Sequence, residues 1–217
     1  MLDRKRENKW VAQSGFHSTA PSPPRGQTLI EYPGASFYKP WAPFVPVARG
    51  MIKLNSLQDL LVFEINDLLG AEKQLSQVFA KVIHSARHTA LREALEAHQR
   101  ETAVQESRLE QCLQSLGSSV KPARSHGMVG IVSVWMEQME AEAHPDVRDA
   151  ATIGVLQRAT HYEIAGYGCA HAFARQLEKQ TVASLLKQTL LEEEEFDRKL
   201  TKIAESVVNR DACLYVS

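Results

Sequence analysis

The chain is poor in several features that would have pointed elsewhere. It has only three cysteines, Cys112, Cys169 and Cys213, with no CxxC spacing and an odd count. That argues against a disulfide framework and suits a reducing cytoplasm. No apolar run approaches the roughly 18 residues of a membrane span, so no membrane partner is expected. There is no excess of charge of one sign: 25 Lys and Arg face 26 Asp and Glu, for a net charge of -1. Composition therefore gives no reason to expect a nucleic-acid partner. Proline is nearly absent after residue 50, where only Pro122 and Pro145 remain of nine. Long uninterrupted helices are thus open to the chain from there on.

Residues 1–50 have the opposite character. They hold seven of the nine prolines, seven of the fifteen aromatic residues and a net charge of +4, which leaves -5 for the rest. No period of 2 or 3.6 runs through them. The basic start Arg4-Lys5-Arg6 is not followed by an apolar core, so it does not read as a secretory signal. Three readings stand: a disordered or poorly ordered tail, upstream sequence translated in error with Met51 the true start, and a functional arm or targeting segment. Helical periodicity begins just after Met51, and a bundle is expected over 51–210, with a frayed tail at 211–217.

Asn55 or Ser56 caps the first expected helix, whose stripe is Leu57, Leu61, Ile65, Leu68, Glu72, Leu75, Phe79 and Val82. The chain turns near Ser85–His88, and a second helix runs to Leu116, where Gly117 stops it. A linker of about a dozen residues follows, then a short helix from Gly130 to Ala143. Pro145 opens a third long helix, with Asp146 and Asp149 in its first turn, running to about Leu177. A turn at Lys179-Gln180-Thr181 leads to a fourth helix over about Val182–Val208. Helices of about 30 residues would be roughly 45 Å long. Two hairpins joined by one long crossover with a short extra helix describe an all-α, ferritin-like four-helix bundle.

The second helix carries the anomaly. Its inward positions are Leu91, Leu95, His98, Glu101 or Thr102, Gln105, Leu109, Cys112 and Leu116, so an imidazole and a carboxylate interrupt an apolar stripe. Burying such groups is costly unless they are paired or hold a metal. Residues equally distant from a hairpin turn lie at equal height. A first turn near residue 86 puts Glu72 level with about residue 100, between His98 and Glu101. A second near 179 puts Glu163 level with about 195 and His161 with about 197, beside Glu192, Glu193 and Asp197. Glu72, His98, Glu101, Glu163 and one or two of Glu192, Glu193 and Asp197 can thus converge at mid-bundle. That is a donor set for two iron or manganese ions, which would relieve the carboxylates' repulsion. Glu193 is preferred over Glu192 because it shares a side with Leu186, Leu190, Asp197 and Leu200. His161 and Glu163 stand about 200° apart around a helix and cannot both face inward. Glu163 is preferred, with His161 as a ligand or a donor behind one. Set against this, Glu192–Glu195 is also what a solvated helix face looks like. Tyr162 and Tyr167 read as core aromatics, Cys112 and Cys169 as small core residues, and Gly154, Gly166 and Gly168 as points of close helix packing.

The pieces Asp67-Leu68-Leu69-Gly70-Ala71-Glu72-Lys73-Gln74, His98-Gln99-Arg100-Glu101-Thr102, Arg148-Asp149-Ala150-Ala151, His161-Tyr162-Glu163-Ile164-Ala165-Gly166-Tyr167-Gly168 and Leu190-Leu191-Glu192-Glu193, with Asp197 following, occur in this order across about residues 54–208. In these the chain resembles the YciE/YciF ferritin-like proteins of bacteria. The resemblance implies a ferritin-like bundle, a homodimer, a role in bacterial stress, and ferroxidase-type chemistry at two Fe ions with oxygen or peroxide. Two departures qualify it. The second helix has the order His98 then Glu101, where the ferritin pattern has Glu-x-x-His, and the fourth long helix has no His. Residues 1–50 have no counterpart in the family pattern. A metal-free helical interaction module and a di-manganese peroxide-decomposing enzyme are the competing expectations.

Overall fold

The computed structural model describes residues 54–121 and 124–215. The reading of residues 1–50 as an extension, and of Met51 as a start, lies outside them. The described residues form α1 (Leu57–Ser85), α2 (Thr89–Ser115), α3 (His126–Glu140), α4 (Pro145–Gln176) and α5 (Gln180–Ile203). α5 continues without a break through a π-helical segment, Ala204–Val208, into α6 (Asn209–Ala212). The wider turn adds one residue per helical repeat, and both Ala204 and Val208 are buried.

The four long helices form a ring in which α1 packs on α2 and α4, and α5 packs on α2 and α4. The direction of α4 follows from one carboxylate. Asp149, the fifth residue of α4, accepts hydrogen bonds from the backbone N–H groups of Arg87 (3.1 Å) and His88 (2.8 Å), at the α1–α2 turn. α4 therefore starts at the end of the bundle where α2 starts. The segment between α2 and α4 must carry the chain back along the whole length, which makes it a long crossover. α3 lies in that crossover and packs on α4 and α1. The expected all-α bundle of two hairpins with a long crossover and a short extra helix is the observed fold. Asp149 also does more than complement a helix dipole: α2 has no capping side chain of its own at His88, and Asp149 takes the free N–H groups there.

The local signals act mostly as chemistry predicts. Ser56 caps α1 by accepting from the N–H of Asp59 at 3.1 Å. Gly117 takes φ +67, and Ser118 donates back to Leu113 O at 2.9 Å, closing α2 with a left-handed turn. Three expectations need correction. The short helix starts at His126 rather than Gly130 and ends at Glu140. Gly127 is inside it because a Cβ there would come 2.4 Å from Tyr162 Cε2. Close packing explains Gly166 too, where a Cβ would meet Leu68 Cδ2 at 2.7 Å, but Gly154 and Gly168 face open space. Cys169 is exposed, while Cys112 is buried. Beyond α6 the Tyr215 ring stacks on His144, with centroids 3.3 Å apart, and residues 216–217 lie outside the described part.

The α4–α5 turn repeats the left-handed closure with the wrong residue. Glu178 takes φ 55, and Lys179 donates to Ala174 O at 2.9 Å. A side chain in that conformation costs about 1 kcal/mol or more. Glu178→Gly is therefore expected to raise the urea midpoint, with a gain of roughly 0.5–1 kcal/mol and an unchanged m-value.

Candidate metal centre

Three carboxylates and one imidazole are sealed inside the bundle. Glu72 on α1, His98 on α2, Glu163 on α4 and Glu193 on α5 are each no more than 2% exposed. They divide two apolar clusters. One contains Phe79, Leu95 and Phe196; the other contains Leu68, Leu109 and Leu186.

Each group has a distinct setting. The Tyr167 hydroxyl donates to Glu72 Oε1 at 2.6 Å. Gln105 Nε2 donates to Glu193 Oε1 at 2.7 Å. The His98 ring lies flat on Phe196, with centroids 3.6 Å apart, and meets the edge of Phe79 at 5.5 Å. Its Nε2 is 3.8 Å from Glu193 Oε2 and its Nδ1 is 3.5 Å from Glu101 Oε2. Neither distance is a good hydrogen bond, and His98 Nδ1, Glu163 Oε1 and Glu193 Oε2 have no hydrogen-bond partner among the described residues.

Burial drives the electrostatics. Desolvation, partly offset by the bond from Tyr167, pushes the Glu72 carboxyl up to about 8. Glu163 is raised well above the ordinary carboxyl range by desolvation, then by repulsion from Glu72 and Glu193. Glu193 is raised by desolvation and by Glu72, against the stabilising bond from Gln105. Desolvation lowers His98. The three carboxyls therefore repel one another in a dry environment and hold protons when no cation is present.

The remaining candidates sit further out. Glu101 is half exposed and lies on the solvent side of His98, not among the buried carboxyls. Glu192 is partly buried; Arg108 Nη1 donates to it at 2.5 Å and the Gln105 amide that binds Glu193 also reaches it at 3.4 Å, so it stands at the edge of the buried group. His161 is 64% exposed and pairs with Asp197 at 3.5 Å on the bundle's surface; Gln157 also donates to Asp197. His161 and Asp197 are level with one another, but neither joins the buried group.

The first hairpin is offset from the expected height. Ser76 donates to Glu106 and Lys73 to Glu110, so the level of Glu72 on α2 lies nearer Gln105 than His98. Helical side chains lean toward their own N-terminus, and two antiparallel helices lean in opposite senses, which shifts the contacting pairs. Gln105 and Tyr167 were legible as inward positions, but nothing in the sequence marked them as donors to the carboxyls. As placed, no three His, Cys, Asp or Glu side chains among the described residues enclose a single ion. What fits a hard divalent ion is the donor set itself, carboxylate oxygens with one imidazole, and the buried donor atoms left without partners.

A second polar group ties down the crossover. Ser125, just ahead of α3, donates to Asp67 Oδ2 at 3.1 Å, the Tyr162 hydroxyl also donates to Asp67, and Gln74 Nε2 donates to Ser125 O. Tyr162 is thus a clamp between α1, α3 and α4.

Comparison with known proteins agrees with the fold and with the family resemblance. Residues 56–213 match the family described as Domain of unknown function (DUF892). Protein YciF of Escherichia coli K12 is 35% identical over 162 residues, 74% of this chain and 98% of that protein. The crystal structure of the E. coli stress protein YciF superposes with a TM-score of 0.69 over 72% of this chain and 99% of that one. YcfI of Rhodopseudomonas palustris, provisionally described as a structural protein, is 30% identical, with a TM-score of 0.68 over 72% and 98% of the two chains. A Xanthomonas campestris protein at 22% identity and a TM-score of 0.57 shares the fold. No helix among the described residues is long and apolar enough to cross a membrane. The chain belongs to the DUF892 family of YciF-like proteins.

Proposed function

We propose that this protein is a carboxylate di-metal protein of bacterial stress defence. It binds two Fe(II) ions between the four long helices and uses them with oxygen or peroxide as a ferroxidase. The observation that carries this reading is the set of three buried, mutually repelling carboxyls, two of which have an oxygen with no partner. Glu72, Glu163 and Glu193 would hold the ions, with His98 as the imidazole donor. The metal supplies the redox chemistry. The chain supplies the rest. Tyr167 and Gln105 fix one oxygen each of Glu72 and Glu193. Phe79 and Phe196 hold the His98 ring in one plane, Phe196 stacked on its face and Phe79 meeting its edge. The homodimer implied by the family resemblance, and the cytoplasmic location that the sparse cysteines suit, belong to the same reading.

Anaerobic addition of two Fe(II) per chain, followed by oxygen, is expected to give oxygen uptake and Fe(III) absorbance well above the protein-free rate. Glu163→Gln is expected to return both to that background. Turnover of peroxide by the manganese-loaded protein, with no iron oxidation, would replace iron by manganese in the same site.

A specific observation favours a second reading, a metal-free helical module. Two of the three carboxyls already accept a short hydrogen bond from a neighbour, and no three donors close on one point. In that reading the acids stay protonated, and no metal changes stability or activity.

A further inference from the structure

Between α2 and α5 the surface opens into a cleft of about 590 Å³ whose floor includes His98. Its walls carry three carboxylates, and they are not equivalent. Glu192 is held by Arg108 at 2.5 Å and Glu195 by Arg198 at 2.8 Å. Glu101 has no Lys or Arg within 4 Å among the described residues; it lies 3.5 Å from His98 Nδ1 and feels Lys199 and Arg100 only from further off. Behind Glu101, His98 Nδ1 lacks a hydrogen bond, and so does Glu193 Oε2, 3.8 Å from the far nitrogen of the same ring; Glu163 Oε1, in the same buried group, also lacks one. His98 is 2% exposed, yet it lines this opening, so a buried donor without a partner faces the cleft.

We propose that the α2–α5 cleft is the entry route by which a divalent cation reaches the buried carboxylates, with Glu101 as the residue that receives it. This rests on the metal-centre reading above. Glu101 is half exposed and makes no direct ion pair with Lys or Arg among the described residues, so it can take an ion from water. Its place beside His98 lets it pass the ion to the imidazole and thence toward Glu193, 3.8 Å beyond. Glu101 is then a transfer residue, not a resident ligand. Lys199 lines the same cleft and sets a positive charge against an incoming cation. Ala97 lies on its wall, where a large side chain would plug it.

The test is stopped-flow binding of Co(II) to the full chain under anaerobic conditions, read by its visible absorbance, with no turnover required. Glu101→Gln and Ala97→Trp are expected to slow binding by roughly tenfold or more, and Lys199→Glu to speed it, with each charge effect shrinking at high salt. Ala97→Trp should reach the same final amount bound. Glu193→Gln should bind little at any time, which tests the centre apart from the route. Unchanged rates in Glu101→Gln and Ala97→Trp, alongside lost binding in Glu193→Gln, would overturn the route and leave the centre standing. A Glu101→Gln protein that binds as fast but retains less Co(II) would also overturn it, by making Glu101 a resident ligand. Absence of Co(II) binding by the unaltered chain would overturn both.

Discussion

Metal-free protein carrying Glu163→Leu is expected to be more stable than the unaltered chain, and metal-loaded protein less so. Glu163 Oε1 has no hydrogen-bond partner, and its carboxyl lies in a dry interior facing Glu72 and Glu193. A leucine there removes an uncompensated polar burial and fills the space with carbon. Replacements of that kind typically gain about 1–3 kcal/mol. For a domain of this size the unfolding temperature should rise by about 2–4 °C per kcal/mol. Divalent metal should reverse the order. A cation at a hundredfold excess over its Kd stabilises the protein that binds it by about 2.7 kcal/mol, and the variant has lost a ligand. Thermal unfolding at pH 8, in chelator and in excess Mn(II), gives all four values. The crossing of the two proteins is the signature: an interior acid retained at a cost to the empty fold because it serves the loaded one. A variant stabilised equally in both conditions would show that metal is irrelevant to Glu163.

The second large effect is on pH dependence, which is opposite to that of ordinary surface carboxylates. Glu72, Glu163 and Glu193 keep their protons in the folded, metal-free protein to higher pH than in the unfolded chain. Between the ordinary value of 4.5 and about 8 for Glu72, the folded state therefore binds more protons than the unfolded state. Stability is fully present below that window and is lost as pH rises through it, by about 1.4 kcal/mol per pH unit for each such carboxyl. His98 acts in the other sense. Its lowered value means that stability is lost as pH falls below the ordinary 6.5. The two slopes oppose each other under acid conditions, so the net fall should be steepest between about pH 6.5 and 8. The charges facing this group from each helix are Glu72 and Glu106, Glu101, Glu192 and Lys199. Urea unfolding across that range in chelator should show the midpoint decreasing with pH. In excess Mn(II) the decrease should vanish or reverse, because the bound cation favours the ionised carboxylates. A flat profile in chelator would mean that the three carboxyls are already satisfied.

Much of the molecule is legible in the sequence. The stripe from Leu57 to Val82, the Ser56 cap, Gly117 and Pro145 fix where helices start and stop through local chemistry alone. The resulting lengths force two hairpins and a crossover. Glu193 is chosen over Glu192 by the apolar residues that share its face, and Glu163 and His161 cannot both face inward; the structure buries Glu163 and Glu193. What was not legible depends on contacts between distant segments. Gly127 reads as linker until the Tyr162 ring is set against it. Glu178 gives no turn signal, because its left-handed φ is imposed by closing α4 onto α5 rather than by its own preference. Equal distance from the turn ignored the lean of side chains, so the height of Glu72 was set too near His98. The inward position after His98 reads as Glu101 or Thr102, and three-residue spacing puts Glu101 on His98's side of the helix. That spacing fixes a direction, not a depth: the structure buries Thr102 and leaves Glu101 at the mouth of the cleft.

The measurement that bears most directly on the central claim is metal content by plasma mass spectrometry. It should be made on the full chain purified without an affinity tag, after anaerobic Fe(II) loading and gel filtration, beside Glu193→Gln prepared identically. The account predicts close to two irons per chain in the unaltered protein and a large loss in the variant. No stoichiometric metal in either protein would contradict it, and would leave a bundle whose buried acids are held by protons, Tyr167 and Gln105.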